Sequence, residues 1–141
     1  MIMSPARVWR ERGARLRLEG ARCRKCCRIF YPPKPSCPYC GFRETERVDL
    51  PKRGKLVSWS IENMVPEGYR VEAPVILALI ELENGVKILS TLTDVDPENV
   101  YEGMEVEAIL RKLWAEGVEG LIVYGIRFVP VHAGNRSEFF K

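Results

Sequence analysis

The alternation of apolar and polar residues after position 50 predicts a series of β-strands. Between Lys55 and Glu62, the side chains of Val57, Trp59 and Ile61 would share one face, which is the period of two expected for a half-buried strand. The pattern continues in four further apolar segments. We predict these as strands at Pro74–Glu83, Val86–Thr93, Glu105–Trp114 and Leu121–Val129.

Two connections between these segments carry clear turn signals. Asn84-Gly85 lies between two apolar runs, a combination that predicts a tight hairpin. Asp96-Pro97 begins a short predicted helix that Gly103 ends. Five strands with a helix between the third and the fourth is the topology of an OB-fold barrel. We therefore predict a mainly β protein with an OB-fold at residues 51–130 and a loose tail at 131–141.

The beginning of the chain predicts a short helix. Ser4 is a good N-cap residue, and Pro5 suits the first helical position. Trp9, Gly13 and Leu16 would then share one narrow apolar face among arginines, and this face is too narrow to fold alone. Trp9 is therefore an anchor either for the rest of this chain or for a partner protein.

Four cysteines form two C-x-x-C pairs, Cys23 with Cys26 and Cys37 with Cys40. Two such turns can bring four thiolates to one Zn²⁺ ion, with Zn–S distances of about 2.3 Å. A closed site with four cysteines leaves no position for a substrate, so we predict a structural zinc in a rubredoxin-like ribbon within residues 1–50. A redox C-x-x-C is the alternative, but the sequence shows no βαβ unit to carry it.

A fifth cysteine, Cys27, directly follows the first C-x-x-C pair. The equivalent position after the second pair is Gly41. Glycine there tolerates the left-handed conformation that lets backbone amides point at sulfur. Cys27 is therefore either a spare thiol or an alternative ligand to Cys26, and the symmetry of the spacing favours Cys26. A nucleophilic Cys27 would need a base, but the only histidine, His132, lies in the predicted tail.

The net charge of +3 conceals an uneven distribution. Residues 1–50 carry twelve Lys/Arg against five Asp/Glu, whereas residues 51–141 carry ten against fourteen. The basic part suggests an anionic partner, namely a nucleic acid, a phosphorylated ligand or an acidic protein, although a solvated basic helix would have the same composition. The chain contains no glutamine but many Arg, Lys and Glu residues. This composition is typical of proteins from hyperthermophiles.

No run of 18 apolar residues and no charged-then-apolar leader is present, so we expect a soluble protein that makes no membrane contact. Zinc-type cysteine spacing and an odd number of cysteines fit a reducing compartment. We therefore expect the protein in the cytoplasm.

Several motifs together resemble one family. They are Leu18-Glu-Gly-Ala-Arg-Cys23, Phe30-Tyr-Pro-Pro33, Cys37-Pro-Tyr-Cys-Gly41, Gly54-Lys-Leu56 and Tyr124-Gly-Ile-Arg-Phe-Val-Pro130. Over about residues 4–130 the chain resembles the zinc-ribbon plus OB-fold family called domain of unknown function 35, or acyl-CoA-associated OB-domain proteins. Cys27, in place of the usual glycine, is the one departure in the ribbon.

The resemblance implies a non-catalytic scaffold. In archaea, similar proteins join acetoacetyl-CoA thiolase to HMG-CoA synthase at the start of the mevalonate pathway and help form a coenzyme A site that both enzymes share. Other members accompany thiolases, hydratases or aldolases. The implied cofactor is structural zinc, and the implied partners are a thiolase-superfamily enzyme and HMG-CoA synthase.

Two other function classes are weaker. An enzyme would need a catalytic constellation, and the sequence shows no histidine near the cysteines and no Gly-rich phosphate loop. A single-stranded nucleic-acid binder fits a ribbon, an OB-fold and a basic N-terminus, but residues 75–93 contain no aromatic residue for base stacking and the OB segment is acidic.

For the scaffold, charge and position suggest which ribbon residues would meet coenzyme A. The phosphates would contact Arg24, Lys25, Arg28 or Lys34, and the loop containing Phe30 and Tyr31 would contact the adenine or the pantetheine arm. The alternative is that the same side chains pack against the partner enzyme.

Overall fold

The elements follow one another as two short helices, a small sheet and a barrel. The computed structural model describes residues 4–65, 73–115 and 117–131. Within these residues the elements are α1 (Pro5–Arg10), α2 (Arg12–Arg17), β1 (Glu19–Cys23), β2 (Ile29–Phe30), β3 (Thr45–Asp49), β4 (Arg53–Glu62), β5 (Val75–Leu82), β6 (Lys87–Leu92), β7 (Glu105–Ala115) and β8 (Ile122–Pro130).

Two sheets result from the strand pairing. The first has the order β2-β1-β3, and the second is a closed barrel with the order β4-β5-β6-β8-β7. Neighbouring barrel strands are antiparallel except β6 and β8, where Leu92 pairs in parallel with Phe128 and closes the barrel. A zinc-ribbon-type sheet followed by a five-stranded OB barrel confirms the predicted fold class.

The barrel core consists of the inward-facing aliphatic side chains of all five strands, as the period of two requires. Phe128, Ile80, Val106 and Leu56 are almost completely buried. The predicted hairpin is confirmed, because Gly85 has a φ of 81° and the amide of Leu82 donates to the carbonyl of Val86 at 2.9 Å.

The helix after β6 is shorter than predicted. It is a single 3₁₀ turn at Pro97–Asn99 rather than a helix that continues to Gly103. Val100 takes an extended conformation and is buried against the barrel core. Burial of this side chain therefore ends the helix early, and Gly103, with a φ of 83°, belongs to the following turn instead.

Strand β4 departs from simple alternation. A register shift between Leu56 and Ser58 places Leu56 in the core and Val57 at the irregularity. Trp59 and Ile61 pair with the inward-facing residues of β5 but stay 37% and 42% exposed. The reason is that the pairing of β4 with β7 ends near Lys55, so this side of the barrel is open beyond that point.

The helices pack through small residues. Ser4 caps α1, accepting from the amide of Arg7 at 3.3 Å, as predicted. The buried residues of α2 are Gly13 and Ala14. Trp9 is 67% exposed, with the guanidinium of Arg12 lying 4.2 Å from its ring centre. Trp9 is therefore not an anchor within the described part of this chain, and its role as a partner anchor stays a prediction.

The ribbon sheet is attached to the barrel by Leu18. This residue adopts a left-handed conformation with a φ of 55°, is 1% exposed, and packs within the barrel core cluster. Its carbonyl accepts from the amide of Leu50 at 3.2 Å. Tyr31 adds a second link, because it packs against the barrel core while its hydroxyl donates to the carbonyl of Ala14 at 3.2 Å.

Among the described residues, no helix has the length and apolarity needed to cross a membrane. Of the predicted C-terminal tail, positions 132–141 lie outside the described residues.

The close approach of β4 to β5 at Gly54 gives a stability prediction. A Cβ at Gly54 would lie 2.5 Å from the carbonyl oxygen of Glu81 and 3.0 Å from Cγ2 of Ile80. We expect Gly54→Ala to lower the free energy of unfolding by about 2 to 3 kcal/mol, because the backbone must shift to relieve the overlap.

Urea unfolding monitored by circular dichroism measures this change. The control is Lys55→Ala at the neighbouring exposed position, which should stay within about 0.5 kcal/mol of the wild type. Equal stability of Gly54→Ala and the control would show that the strands are not in contact at this point.

Candidate metal centre and basic surface

The four cysteines of the two C-x-x-C pairs meet at one point. The Sγ atoms of Cys23, Cys26, Cys37 and Cys40 all lie within 4.8 Å of one another. The shortest separations cross between the pairs, at 3.6 Å from Cys23 to Cys40 and 3.6 Å from Cys26 to Cys37. Each sulfur is therefore close to a sulfur of the other turn.

These separations fit a tetrahedral metal site. Four sulfurs at a Zn–S distance of about 2.3 Å would lie roughly 3.8 Å from one another, close to the observed 3.6 Å. A disulfide would require a separation of about 2.05 Å, and all five cysteines are free thiols. The donor set and its spacing therefore fit a structural zinc ion, and zinc bound here would hold the two turns together.

Backbone amides stabilise the thiolate form of two of the ligands, Cys23 and Cys37. The amides of Cys26 and Lys25 donate to the Sγ of Cys23 at 3.5 and 3.4 Å and lower the pKa of this thiol to about 6. In the second turn, the amide of Tyr39 donates to the Sγ of Cys37 at 3.4 Å. Burial and the neighbouring thiols raise the pKa of Cys26 instead. Because the thiolate is the form that binds metal, the amides prepare Cys23 and Cys37 for Zn²⁺.

The strands of the small sheet position the turns. Cys23 ends β1, and its amide donates to the carbonyl of Arg28 at 3.0 Å just before β2. The second turn closes in the same way, with the amide of Cys37 donating to the carbonyl of Phe42 at 2.8 Å. Each C-x-x-C pair therefore lies at the tip of a hairpin-like turn, with Phe30 buried beneath.

Cys27 is exposed and outside the sulfur cluster. It has a φ of 58° and its amide donates to the carbonyl of Cys23 at 3.0 Å. Gly41 has a φ of 72° and makes the equivalent bond to Cys37, also at 3.0 Å. Cys27 thus performs the backbone role of a turn glycine in a conformation that side chains disfavour.

The three predicted cationic ligand residues of the first turn lie on the surface of the ribbon. Arg24 pairs loosely with Glu46 at 3.9 Å. Lys25 lies 6.0 Å from the ring centre of Phe42, and the guanidinium of Arg28 lies 4.9 Å from that of Tyr39. Two of these cations therefore lie over aromatic rings of the ribbon itself.

The other three predicted ligand residues lie in a different place. Phe30, Tyr31 and Lys34 line a cleft of about 280 Å³ between the ribbon and the turn that joins β5 to β6. Phe30 is buried and Tyr31 half-buried, so Lys34 is the only exposed residue of these three. The six residues thus form two groups, on the first turn and in this cleft.

A second cleft was not predicted from the sequence. It lies between the helices and the Pro32-Pro33 loop, and Arg7, Arg10, Arg15 and Arg47 line it. The arginines of the predicted basic helix were the only sequence signal for this cleft. Arg47 comes from β3, and the folding of the ribbon brings β3 close to the helices.

Comparison with known families agrees with this geometry. Residues 10–46 match the family described as the rubredoxin-like zinc ribbon domain of ChsH2, and residues 47–111 match its C-terminal OB-fold domain. A DUF35 domain-containing scaffold protein of Pyrococcus furiosus is 40% identical over 129 residues, which cover 92% of this chain and 94% of that protein. The chain belongs to the DUF35 family.

Two further comparisons concern a thiolase subunit and a chain of a solved aldolase structure. The benzoylsuccinyl-CoA thiolase subunit BbsA of Thauera aromatica is 35% identical over 75 residues, covering 53% of this chain and 51% of BbsA. The solved structure of the Ltp2-ChsH2(DUF35) aldolase contains a chain that aligns with a TM-score of 0.67 and 25% identity. That alignment covers 92% of this chain and 98% of the other.

The sulfur cluster predicts which cysteine substitutions remove the metal. We expect Cys37→Ser to lose stoichiometric zinc, because a buried ligand is replaced by a weaker one, whereas Cys27→Ser should retain one zinc per chain. Metal analysis by mass spectrometry on protein purified without chelator measures both. Zinc lost in Cys27→Ser and retained in Cys37→Ser would contradict the assigned ligand set.

The left-handed conformation of Cys27 predicts a stabilising substitution. Cys27→Gly should raise the free energy of unfolding of the zinc-loaded protein by about 0.5 to 1 kcal/mol, because glycine removes the clash of Cβ with the backbone. The matched reverse change, Gly41→Cys, should lower it by a similar amount. Thermal unfolding measures both, and a destabilised Cys27→Gly would show that the thiol makes a contact that outweighs its strain.

Proposed function

We propose that this DUF35 chain is a non-catalytic, zinc-containing scaffold subunit that binds a thiolase-superfamily enzyme and helps form a shared site for coenzyme A or acyl-CoA. We further propose that it bridges acetoacetyl-CoA thiolase and HMG-CoA synthase in the mevalonate pathway, in the cytoplasm of its host. The observation that carries the proposal is the alignment with the DUF35 chain of the Ltp2-ChsH2(DUF35) aldolase, which extends over nearly the whole of both chains.

The relatives support the class of partner. One is named a scaffold protein and another a subunit of a benzoylsuccinyl-CoA thiolase. Both names describe proteins that work within assemblies. This chain also matches both the zinc ribbon domain and the OB-fold domain of ChsH2.

The outer face of the barrel offers a surface for a protein partner. Across β4, β5 and β6, Ser58 aligns with Leu79 and Leu89, and the next row contains Ser60, Leu77 and Thr91. Both rows lack charged side chains, and Leu89 is 71% exposed. Contiguous exposed apolar residues and a depletion of charge are typical of the centre of protein interfaces.

The open side of the barrel supplies further exposed apolar residues. On β4, beyond the point where this strand stops pairing with β7, the exposed residues are Trp59 and Ile61. On β7 and β8 they are Leu110, Ile122 and Tyr124. Aromatic anchors such as Trp59 and Tyr124 commonly carry much of the binding energy of an interface.

A scaffold has a thermodynamic purpose in this reaction sequence. Condensation of two acetyl-CoA molecules by a thiolase is uphill, whereas the following synthase step is downhill. Holding both enzymes around one coenzyme A site would let the second step draw the first forward. For that site we propose contacts to phosphate from Arg24, Lys25, Arg28 and Lys34, with Phe30 and Tyr31 beside the adenine or the pantetheine arm.

Complex formation tests the proposal. Coexpressed with the thiolase and the HMG-CoA synthase of its host, the chain should elute with both in one peak, since a specific assembly buries at least about 1,000 Å². HMG-CoA formation from acetyl-CoA should be faster than with the two enzymes alone. Three separate peaks and unchanged flux would defeat the proposal.

A substitution at Leu89 tests whether the interface lies on the outer face of the barrel. We expect Leu89→Glu to weaken the complex by at least about tenfold, because a charge would be buried in an uncharged contact. Val118→Glu, in the turn between β7 and β8, makes the same chemical change at a fully exposed site and serves as the control. Equal affinities of the two variants would move the interface away from this face.

A further inference from the structure

The cleft between the helices and the Pro32-Pro33 loop, which we call the arginine cleft, collects positive charge from separate elements. Arg7 and Arg10 come from α1, Arg15 from α2 and Arg47 from β3. Glu11 is the one acidic residue among the described residues that line it. Four guanidinium groups therefore face one carboxylate in a cavity of about 430 Å³.

Glu11 fixes two of these arginines. Its carboxylate accepts from the Nε of Arg7 at 2.9 Å and from the Nε of Arg15 at 2.8 Å. These hydrogen bonds hold the pKa of Glu11 below its usual value, so the carboxylate stays ionised. One anion thus orients two cations, while the Nη groups of Arg7 are not used by Glu11.

The remaining two arginines are held more weakly. Arg10 donates through its Nε to the carbonyl of Ala6 at 3.2 Å. Arg47 lies 3.9 Å from the carboxylate of Glu19, a long distance for an ion pair, and its side chain is 57% exposed. Both guanidinium groups therefore have donors available to an anion.

The opposite wall of the cleft is not charged. It is formed by Tyr31, Pro32 and Pro33, and burial raises the pKa of the Tyr31 hydroxyl, which keeps it neutral. The side chain of Arg15 is only 21% exposed. A solvated basic helix has no such wall and no partly buried arginine, so this arrangement differs from an ordinary charged surface.

We propose that the arginine cleft binds a small molecule that carries a diphosphate or similar multiply charged phosphate group. Guanidinium groups bind phosphate in a planar, bidentate geometry, and several arginines around one cavity match several phosphate charges. The volume is within the usual range for small-molecule sites, roughly 300 to 1,000 Å³, and exceeds what a single phosphate fills. The aromatic and proline wall suits a ring attached to the phosphates.

Tyr31 lines both this site and the cleft that contains Phe30 and Lys34, but the arginine cleft contains no residue of the first cysteine turn. The inference does not rest on a thiolase partner. It is tested on the isolated, zinc-loaded full-length chain. Failure of the test would therefore leave the proposed scaffold function intact, and failure of complex formation would leave the arginine cleft intact.

Isothermal titration calorimetry at about 50 mM salt is the experiment, with inorganic pyrophosphate, ADP and adenosine as probes. Pyrophosphate and ADP should bind and adenosine should not. The double variant Arg10→Gln/Arg47→Gln, which leaves the contacts of Glu11 in place, should weaken ADP binding by about tenfold or more, since hydrogen bonds to charged groups are lost.

The matched control is Arg12→Gln/Arg43→Gln, which also removes two exposed arginines but none that line the cleft. It should change ADP affinity by less than about twofold, because screening weakens distant charge effects. Absence of ADP binding, or equal losses in both double variants, would overturn the proposal. Tighter binding of a hexaglutamate peptide or of an oligothymidine than of ADP would also overturn it, by assigning the cleft to an acidic protein segment or to a nucleic-acid backbone.

Discussion

The convergence of four sulfur atoms within 4.8 Å is the constraint on which the N-terminal third of this molecule depends. The ribbon has few other means of holding its shape. Strand β2 has two residues, and the buried cluster of the ribbon contains Ala21, Cys23, Phe30 and Cys37, so that two of its four members are metal ligands themselves. A core this small cannot offset the entropy of ordering the turns, and zinc bound by the four sulfurs would supply the missing stabilisation.

The ribbon in turn positions the basic surfaces that we propose to be functional. Leu18 and Tyr31 join it to the barrel, and Tyr31 also forms part of the wall of the arginine cleft. Strand β3 brings Arg47 to the same cleft. The uncharged outer face of the barrel, in contrast, is built by β4, β5 and β6 without help from the ribbon. We therefore expect the basic part to depend on the metal and the apolar face of the barrel to be independent of it.

Local patterns in the sequence predicted the barrel strands, the Asn84-Gly85 hairpin and the two cysteine turns, because each depends on neighbouring residues only. The bulge near Val57 was not predictable, since it depends on where β4 separates from β7. The same holds for the early end of the helix after Pro97, which the burial of Val100 decides. The arginine cleft forms only because β3 packs close to the helices, and the spacing of residues along the sequence does not predict this packing.

Hydrogen–deuterium exchange, read by mass spectrometry on the 141-residue chain with and without a zinc chelator, shows whether the sulfur cluster holds the ribbon. If the sulfur cluster holds the ribbon, chelation should accelerate exchange of the amides in residues 19–49 while the amides of β5 and β6 stay protected. Unchanged exchange in the ribbon would contradict the account. Simultaneous loss of protection in the ribbon and the barrel would contradict the independence of the barrel face.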